Sequence, residues 1–254
     1  MSSLLPGALA FAGTILYAKY GALSSTFLPS RVVPVKTVDG KKHVIFVLGG
    51  PGAGKGTVCS RLCPSGDGDG DGDCRKGRGG LTVRSTHAFF SAGDLLRAER
   101  KRDSPCARVI NDAISSGSFV PASITLGLIK SAFEGSGAGV FLLDGFPRNE
   151  DNVGAWEEGV GGGVVVDLVL FLECPEETML GRIMDRGRTS GRNDDTLEVA
   201  RKRFENFRRE TMPIVNKYEK EGKVVRVRSD RPVDRVYDEV EEIVVKNMER
   251  VILA

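Results

Sequence analysis

Two groups of residues in this chain have types and spacings that could do chemistry: glycines interrupted by one lysine, and arginines spread over several short motifs. The stretch "VIFVLGGPGAGKGTVCSRL" (44–62) puts five glycines between Gly49 and Gly56, with Lys55 among them, where a β-branched run gives way to a helical pattern. Glycines let a backbone curl until several N–H groups point inward. The N-terminus of the following helix adds partial positive charge, and a lysine adds a full one. The run Gly50, Pro51, Gly52, Ala53, Gly54, Lys55, Gly56, Thr57 is therefore a cradle suited to a chain of phosphates. A general phosphate loop has Ser or Thr directly after its lysine; here Gly56 intervenes and Thr57 follows.

The cations lie downstream. "SAGDLLRAER" (91–100) carries Ser91, Gly93 and Arg97, and "FLLDGFPRNEDN" (141–152) carries Asp144, Gly145, Arg148, Asn149 and Asn152. "GRIMDRG" sets Arg182 and Arg186 four apart, on one helix face. "TSGRNDD" (189–195) offers Arg192, and Arg203 follows eleven residues later. In a chain with 36 basic residues a single arginine is a solvated face or a surface ion pair. A site that brings two nucleotides together needs several, drawn from separate segments.

The elements that must position these residues alternate. "HVIFVL" (43–48), "GVFLLDG" (139–145), "VVVDLVLFLE" (164–173) and "KVVRVRS" (223–229) have the length and composition of buried strands. Between them run helical periods: Gly54 to Leu62; Met179, Leu180, Ile183 and Met184; and Leu197, Ala200, Phe204, Phe207, Ile214, Val215 and Tyr218, bent at Pro213. A last helix carries Val233, Val236, Tyr237, Val240, Ile243 and Val244. Such alternation predicts an α/β domain, a parallel sheet covered on both faces, with ligands at the carboxyl edge of the strands.

Composition removes other readings. Thirty-six basic against 34 acidic residues gives no bulk charge for nucleic acid. Five cysteines and only His43 and His87 speak against a disulfide framework or a zinc site, and for a reducing compartment. Residues 1–38 hold no Asp or Glu and three basic residues. They read as a targeting or anchoring leader, a contact for organelle import or a membrane, against the alternative of a plain tail. The compartment stays open between cytoplasm and an organelle (plastid or mitochondrion). Residues 64–80, "PSGDGDGDGDCRKGRGG", have no apolar face and read as a disordered insert. Twelve positions counted from Asp67 end on Arg78, and from Asp69 on Gly80, so the glutamate that closes a calcium loop is absent.

"GGPGAGKGT" resembles the loop of the nucleoside monophosphate kinases, which ends in Gly-Lys-Gly-Thr, and the resemblance extends from about Val44 to Val244. It implies the P-loop NTPase fold: a five-stranded parallel sheet, a helical monophosphate-binding subdomain over 91–135, and a short lid over 187–196 that has no cysteines for a zinc site. The kinase domain is residues 39–254, acting as a monomer on small nucleotides with Mg²⁺ and ATP. By resemblance Lys55 meets the β/γ-phosphates, Arg182 lies against the ATP base and Arg186 on its phosphates. Ser91, Gly93, Arg97, Gly145, Arg148, Arg192 and Arg203 hold the monophosphate, and Asp144 orients waters around Mg²⁺. Lys55, Arg148, Arg186, Arg192 and Arg203 are the catalytic set. Within the family, "RNxDN" at 148–152, "SAGDLLR", "FVPASIT" and "TSGR" resemble the UMP/CMP kinases. Asn149 and Asn152 would read a pyrimidine, walled by Phe119 and Val120, with CMP, UMP and dCMP as acceptors. The alternatives are AMP as acceptor, or a P-loop protein that binds nucleotide without transferring phosphate. A GTPase is disfavoured, because the nearest Asn-Lys-x-Asp-like string, "NKYE" (216–219), falls within a helix.

Overall fold

Strand β1 (Lys42–Gly49) sends Val44, Phe46 and Leu48 to one face of a sheet and Ile45 and Val47 to the other, all five at most 1% exposed. A strand buried on both sides needs cover on both sides, and for that reason it reads as a continuous apolar run. The computed structural model describes residues 37, 39–62, 87–102, 104–136, 138–160, 162–190 and 194–252. The leader (apart from Thr37 in its last positions), the 64–80 insert and Arg192 lie outside the described residues.

The other strands are β2 (His87–Ser91), β3 (Val140–Asp144), β4 (Val164–Glu173) and β5 (Val224–Arg228), all parallel, in the order β2-β3-β1-β4-β5. The sheet has five strands, as the resemblance implied; β2, "HAFFS", is the one the sequence pattern did not mark. Between β1 and β2 the described chain includes helix α1 (Lys55–Leu62). Helices α2 (Ala92–Arg100), α3 (Pro105–Ser116) and α4 (Ala122–Ser136) lie between β2 and β3, and α5 (Glu150–Gly159) between β3 and β4. After β4 come α6 (Glu176–Thr189), α7 (Leu197–Asn206), α8 (Met212–Lys220) and, beyond β5, α9 (Val233–Ile252).

One face of the sheet packs Phe46 and Phe141 against Phe133, Trp156 and Tyr218, with ring centroids as close as 4.0 Å for Phe133–Phe141. The other packs Ile45, Leu142 and Leu170 against Ile183, Val240 and Val244. Full burial of one such side chain is worth about 2–3 kcal/mol, so the centre of the sheet is its most secure part. The functional edge is built there.

The long helix expected from Leu197 to Tyr218 is not one α-helix. It breaks into α7, a five-residue π-helical turn (Phe207–Thr211) and α8. Pro213 has no N–H for the carbonyl of Arg209, so the α-helical bonding cannot run through unbroken. The Met212 N–H reaches back five residues to the Phe207 carbonyl instead.

Candidate active site

β1 stands between β3 and β4, and the chain crosses from one side of it to the other, so a crevice opens above its carboxyl end. Val47 is in register with Asp144, and the Gly145 N–H donates to the Val47 carbonyl at 3.0 Å. The loop after β1 and the loop after β3 therefore face each other. A cavity of about 770 Å³ occupies this crevice.

On the first loop, Pro51, Gly52, Gly54, Lys55, Gly56 and Thr57 line the cavity. Gly50 packs beneath Met179 and Ala53 is fully buried, so these two shape the loop rather than line it. Gly52 has φ +84°, and a Cβ there would lie 2.5 Å from the Met179 carbonyl oxygen. Only glycine brings the backbone this close to α6. The Lys55 ammonium donates to the Gly49 and Gly50 carbonyls at 2.8 and 3.0 Å. Burial, together with nearby Arg148 and Arg186, holds its pKa below the usual lysine value, and Asp144 partly opposes this.

Across the crevice Arg148 is held at three points. Its Nε donates to the Gly145 carbonyl (2.7 Å), its N–H to Asn152 Oδ1 (3.1 Å), and its carbonyl accepts from the Thr211 hydroxyl (2.7 Å). Gly145 has φ +74°, and a Cβ on it would stand 2.8 Å from the Arg148 guanidinium. Burial lowers the Arg148 pKa, Arg203 and Arg97 lower it further, and Asp144 opposes them. Solvent still reaches the side chain through the open crevice. Positive groups converge here, and an anion would relieve their repulsion.

Arg186 is clamped bidentately by Asp195, Nε to Oδ2 at 2.7 Å and Nη2 to Oδ1 at 2.9 Å, and that carboxylate is completely buried. Arg203 pairs with Asp194 and, at 3.4 Å, with Asp195. Hydrogen bonding to Asp195 raises the Arg186 pKa against its burial. Burial would raise that of Asp194, but the Arg203 guanidinium outweighs it and holds the carboxyl low. Arg97 pairs with Asp94 of its own helix turn, and Ser91, which caps α2, lines the cavity with Gly93. Arg182 donates to the Ser229 carbonyl at 2.9 Å.

Of the residues named from the sequence, Arg97, Arg148, Arg182, Arg186 and Arg203 all line the one cavity, as do Asp144, Gly145, Phe119, Val120 and Asn152. Asn149 is not among the residues that line it. Its Oδ1 accepts from the Asn152 N–H at 3.0 Å, making it the N-cap of α5. Asn152 is also partly engaged: its Oδ1 holds the Arg148 N–H, leaving its amide NH₂ as the donor for a ligand. The sequence reading missed Asp194, Asp195, Asn206, Phe207 and Thr211. Only the paired aspartates beside Arg192 carried a signal.

Asp144 bears on a metal. Its Oδ1 is buried and has no hydrogen-bond partner among the described residues, and Oδ2 faces Gly56, at 3.9 Å from where a Cβ would stand. No cluster of three or more His, Cys, Asp or Glu among the described residues could hold a metal alone. A single carboxylate beside a phosphate cradle suits Mg²⁺, which keeps waters and takes other ligands from phosphates.

The family model described as "Adenylate kinase" matches residues 72–223. The chain belongs to the adenylate kinase family. A UMP-CMP kinase of Danio rerio is 39% identical over 213 residues, 82% of this chain and 99% of that protein. The UMP-CMP kinase 2 of Caenorhabditis elegans is 41% identical over 203 residues, 79% of this chain and 95% of the other. A uridylate kinase of Saccharomyces cerevisiae is 40% identical over 205 residues, 79% and 90%. The model's match begins after the phosphate loop, so the geometry of Gly49 to Thr57 is separate support for a family site.

Proposed function

We propose that this protein is a UMP/CMP kinase, which moves the γ-phosphoryl group of ATP onto the phosphate of a pyrimidine nucleoside monophosphate. The observation that carries the reading is the convergence of Lys55, Arg97, Arg148, Arg182, Arg186 and Arg203 on one cavity at the end of β1, beside a glycine cradle. The names of the relatives supply the pyrimidine. ATP would lie on the loop side, with Lys55, Thr57, Arg182 and Arg186. The monophosphate would lie against Arg97, Arg148 and Arg203, its base beside Phe119, Val120 and the Asn152 amide. The division into an acceptor subdomain (91–135), a lid (187–196) carrying Arg192, a leader (1–38) and an insert (64–80) belongs to the same reading.

The acceptor oxygen is already anionic, so no side chain need remove a proton. It attacks the γ-phosphorus, the bond to the β–γ bridging oxygen breaks, and ADP leaves with the electron pair. The arginines and Lys55 align the two phosphates and offset the charge that crowds between them. Asp144, with Thr57, would hold Mg²⁺ through its waters; when bound, the ion supplies further charge neutralisation at the phosphates. Release of Arg186 and Arg203 from Asp195 and Asp194 toward phosphate oxygens would accompany closure of the lid and exclude water.

The test is a coupled assay of ADP formation by the full chain with Mg-ATP and, separately, CMP, UMP, dCMP or AMP. Turnover with CMP and UMP well above that with AMP supports the reading. A preference for AMP would keep the reaction and overturn the acceptor. No turnover with any acceptor would leave a nucleotide-binding protein.

A further inference from the structure

Arg203, Asn206, Phe207 and Thr211 all line the cavity. In an unbroken α-helix the first three would share a face with residue 210, while residue 211 would point about 80° away from 203. The π turn changes this. Its additional residue, closed by the bond from the Met212 N–H to the Phe207 carbonyl, turns Thr211 inward and leaves Glu210 outside the lining. Thr211 is 5% exposed, and its hydroxyl donates to the Arg148 carbonyl at 2.7 Å. Asn206, just before the turn, donates through Nδ2 to the Gly117 carbonyl at 3.0 Å, at the end of α3 where the chain turns toward Phe119 and Val120.

We infer that Thr211 is a positioning residue for Arg148, and that the π turn is the device that delivers its hydroxyl. Arg148 sits in a loop, and its guanidinium direction depends on where its backbone is pinned. Asn152 pins the N–H and Thr211 the carbonyl, from two different helices. Removing the second pin leaves the Asn152 bond to its N–H and the Nε bond to the Gly145 carbonyl, so the backbone can shift about the first pin and the guanidinium is aimed less tightly at the acceptor phosphate. The inference rests on the reading that Arg148 grips the monophosphate. It adds a coupling between α7, which carries Arg203, and the loop after β3.

The experiment compares the wild-type full chain with Thr211→Val, which keeps the shape and removes the hydroxyl, and Thr211→Ser, which restores it. Each is measured for kcat, for KM of ATP, for KM of whichever monophosphate the wild type phosphorylates, and for thermal unfolding. Thr211→Val should lose about fivefold in kcat/KM for the acceptor, as for one net hydrogen bond, with KM for ATP changed by less than about twofold. Thr211→Ser should return to within about twofold of wild type. A Val variant whose acceptor kinetics match wild type, a parallel loss for ATP and acceptor, or a Ser variant no better than Val would each overturn the positioning role while leaving the kinase reading intact. A wild type that phosphorylates no monophosphate overturns that reading and the inference with it. If Thr211→Val does not fold, Thr211→Ala replaces it under the same criteria.

Discussion

Lys55→Met removes one charge and keeps most of the side-chain volume. In the folded chain the ammonium is tied to two carbonyls of its own loop, Gly49 and Gly50, while burial, Arg148 and Arg186 all work against its charge. These contributions oppose each other. Two hydrogen bonds from a charged donor, about 1.5–3 kcal/mol each, are lost, and the cost of burying a cation among cations is relieved. The nucleotide-free variant should therefore unfold close to wild type. Catalysis has no such compensation. A lost electrostatic donor aimed at a transferring phosphoryl group costs roughly 3–4 kcal/mol, or about 10²–10³ in kcat. The assay is ADP formation at saturating ATP and CMP, paired with thermal unfolding with and without ATP. Turnover of Lys55→Met within about threefold of wild type would mean that Lys55 does not stabilise the transferring phosphoryl group. A collapsed unfolding midpoint without nucleotide would show instead that Lys55 is mainly a structural clamp.

Gly52→Ala puts a Cβ 2.5 Å from the Met179 carbonyl oxygen at φ +84°, and should cost about 1–3 kcal/mol of stability together with ATP affinity; normal denaturation and normal binding by calorimetry would contradict the packing argument. Asp195→Asn removes the buried carboxylate that holds Arg186 and touches Arg203. Breaking a buried pair costs about 3–5 kcal/mol, and the solvent access of both arginines reduces this to about 1–3, readable in a urea titration. At the far end of β1, His43 lies between Asp39 (3.0 Å) and Asp167 (2.9 Å), and these carboxylates raise its pKa although burial opposes them. The stabilisation is complete below the ordinary histidine value of about 6.5 and lost as pH rises through the raised folded value. The stability deficit of His43→Gln should thus be largest near pH 6 and shrink toward about pH 9; a deficit that grows with pH would reverse the sign.

Much of this site was legible in the sequence because its parts are local. Each glycine of the phosphate loop answers a steric demand within a few residues, and Arg148 follows Asp144 on one strand end. Other parts depend on which contacts the folded elements make. β2 is five residues long, and its apolar character shows only once it lies beside β3. Asn149 and Asn152 have the residue type of base readers, yet the oxygen of each is also engaged locally, Asn149 capping α5 and Asn152 accepting from the Arg148 N–H. The pairs of Arg186 and Arg203 with the two aspartates span only eight or nine residues, but they tie α6 and α7 to the segment between them, which the helical periods do not show. A period of 3.6 residues per turn does not bring Thr211 to the site, because its segment winds more widely.

A UMP/CMP kinase passes the phosphoryl group directly from ATP to the monophosphate. Incubating the full chain with Mg²⁺, CMP and ATP labelled on its γ-phosphate, then separating the products, tests it most directly. The account predicts label in the β-phosphate of CDP with little in free phosphate. Label released as free phosphate, or retained in ATP while CMP stays unchanged, would contradict it.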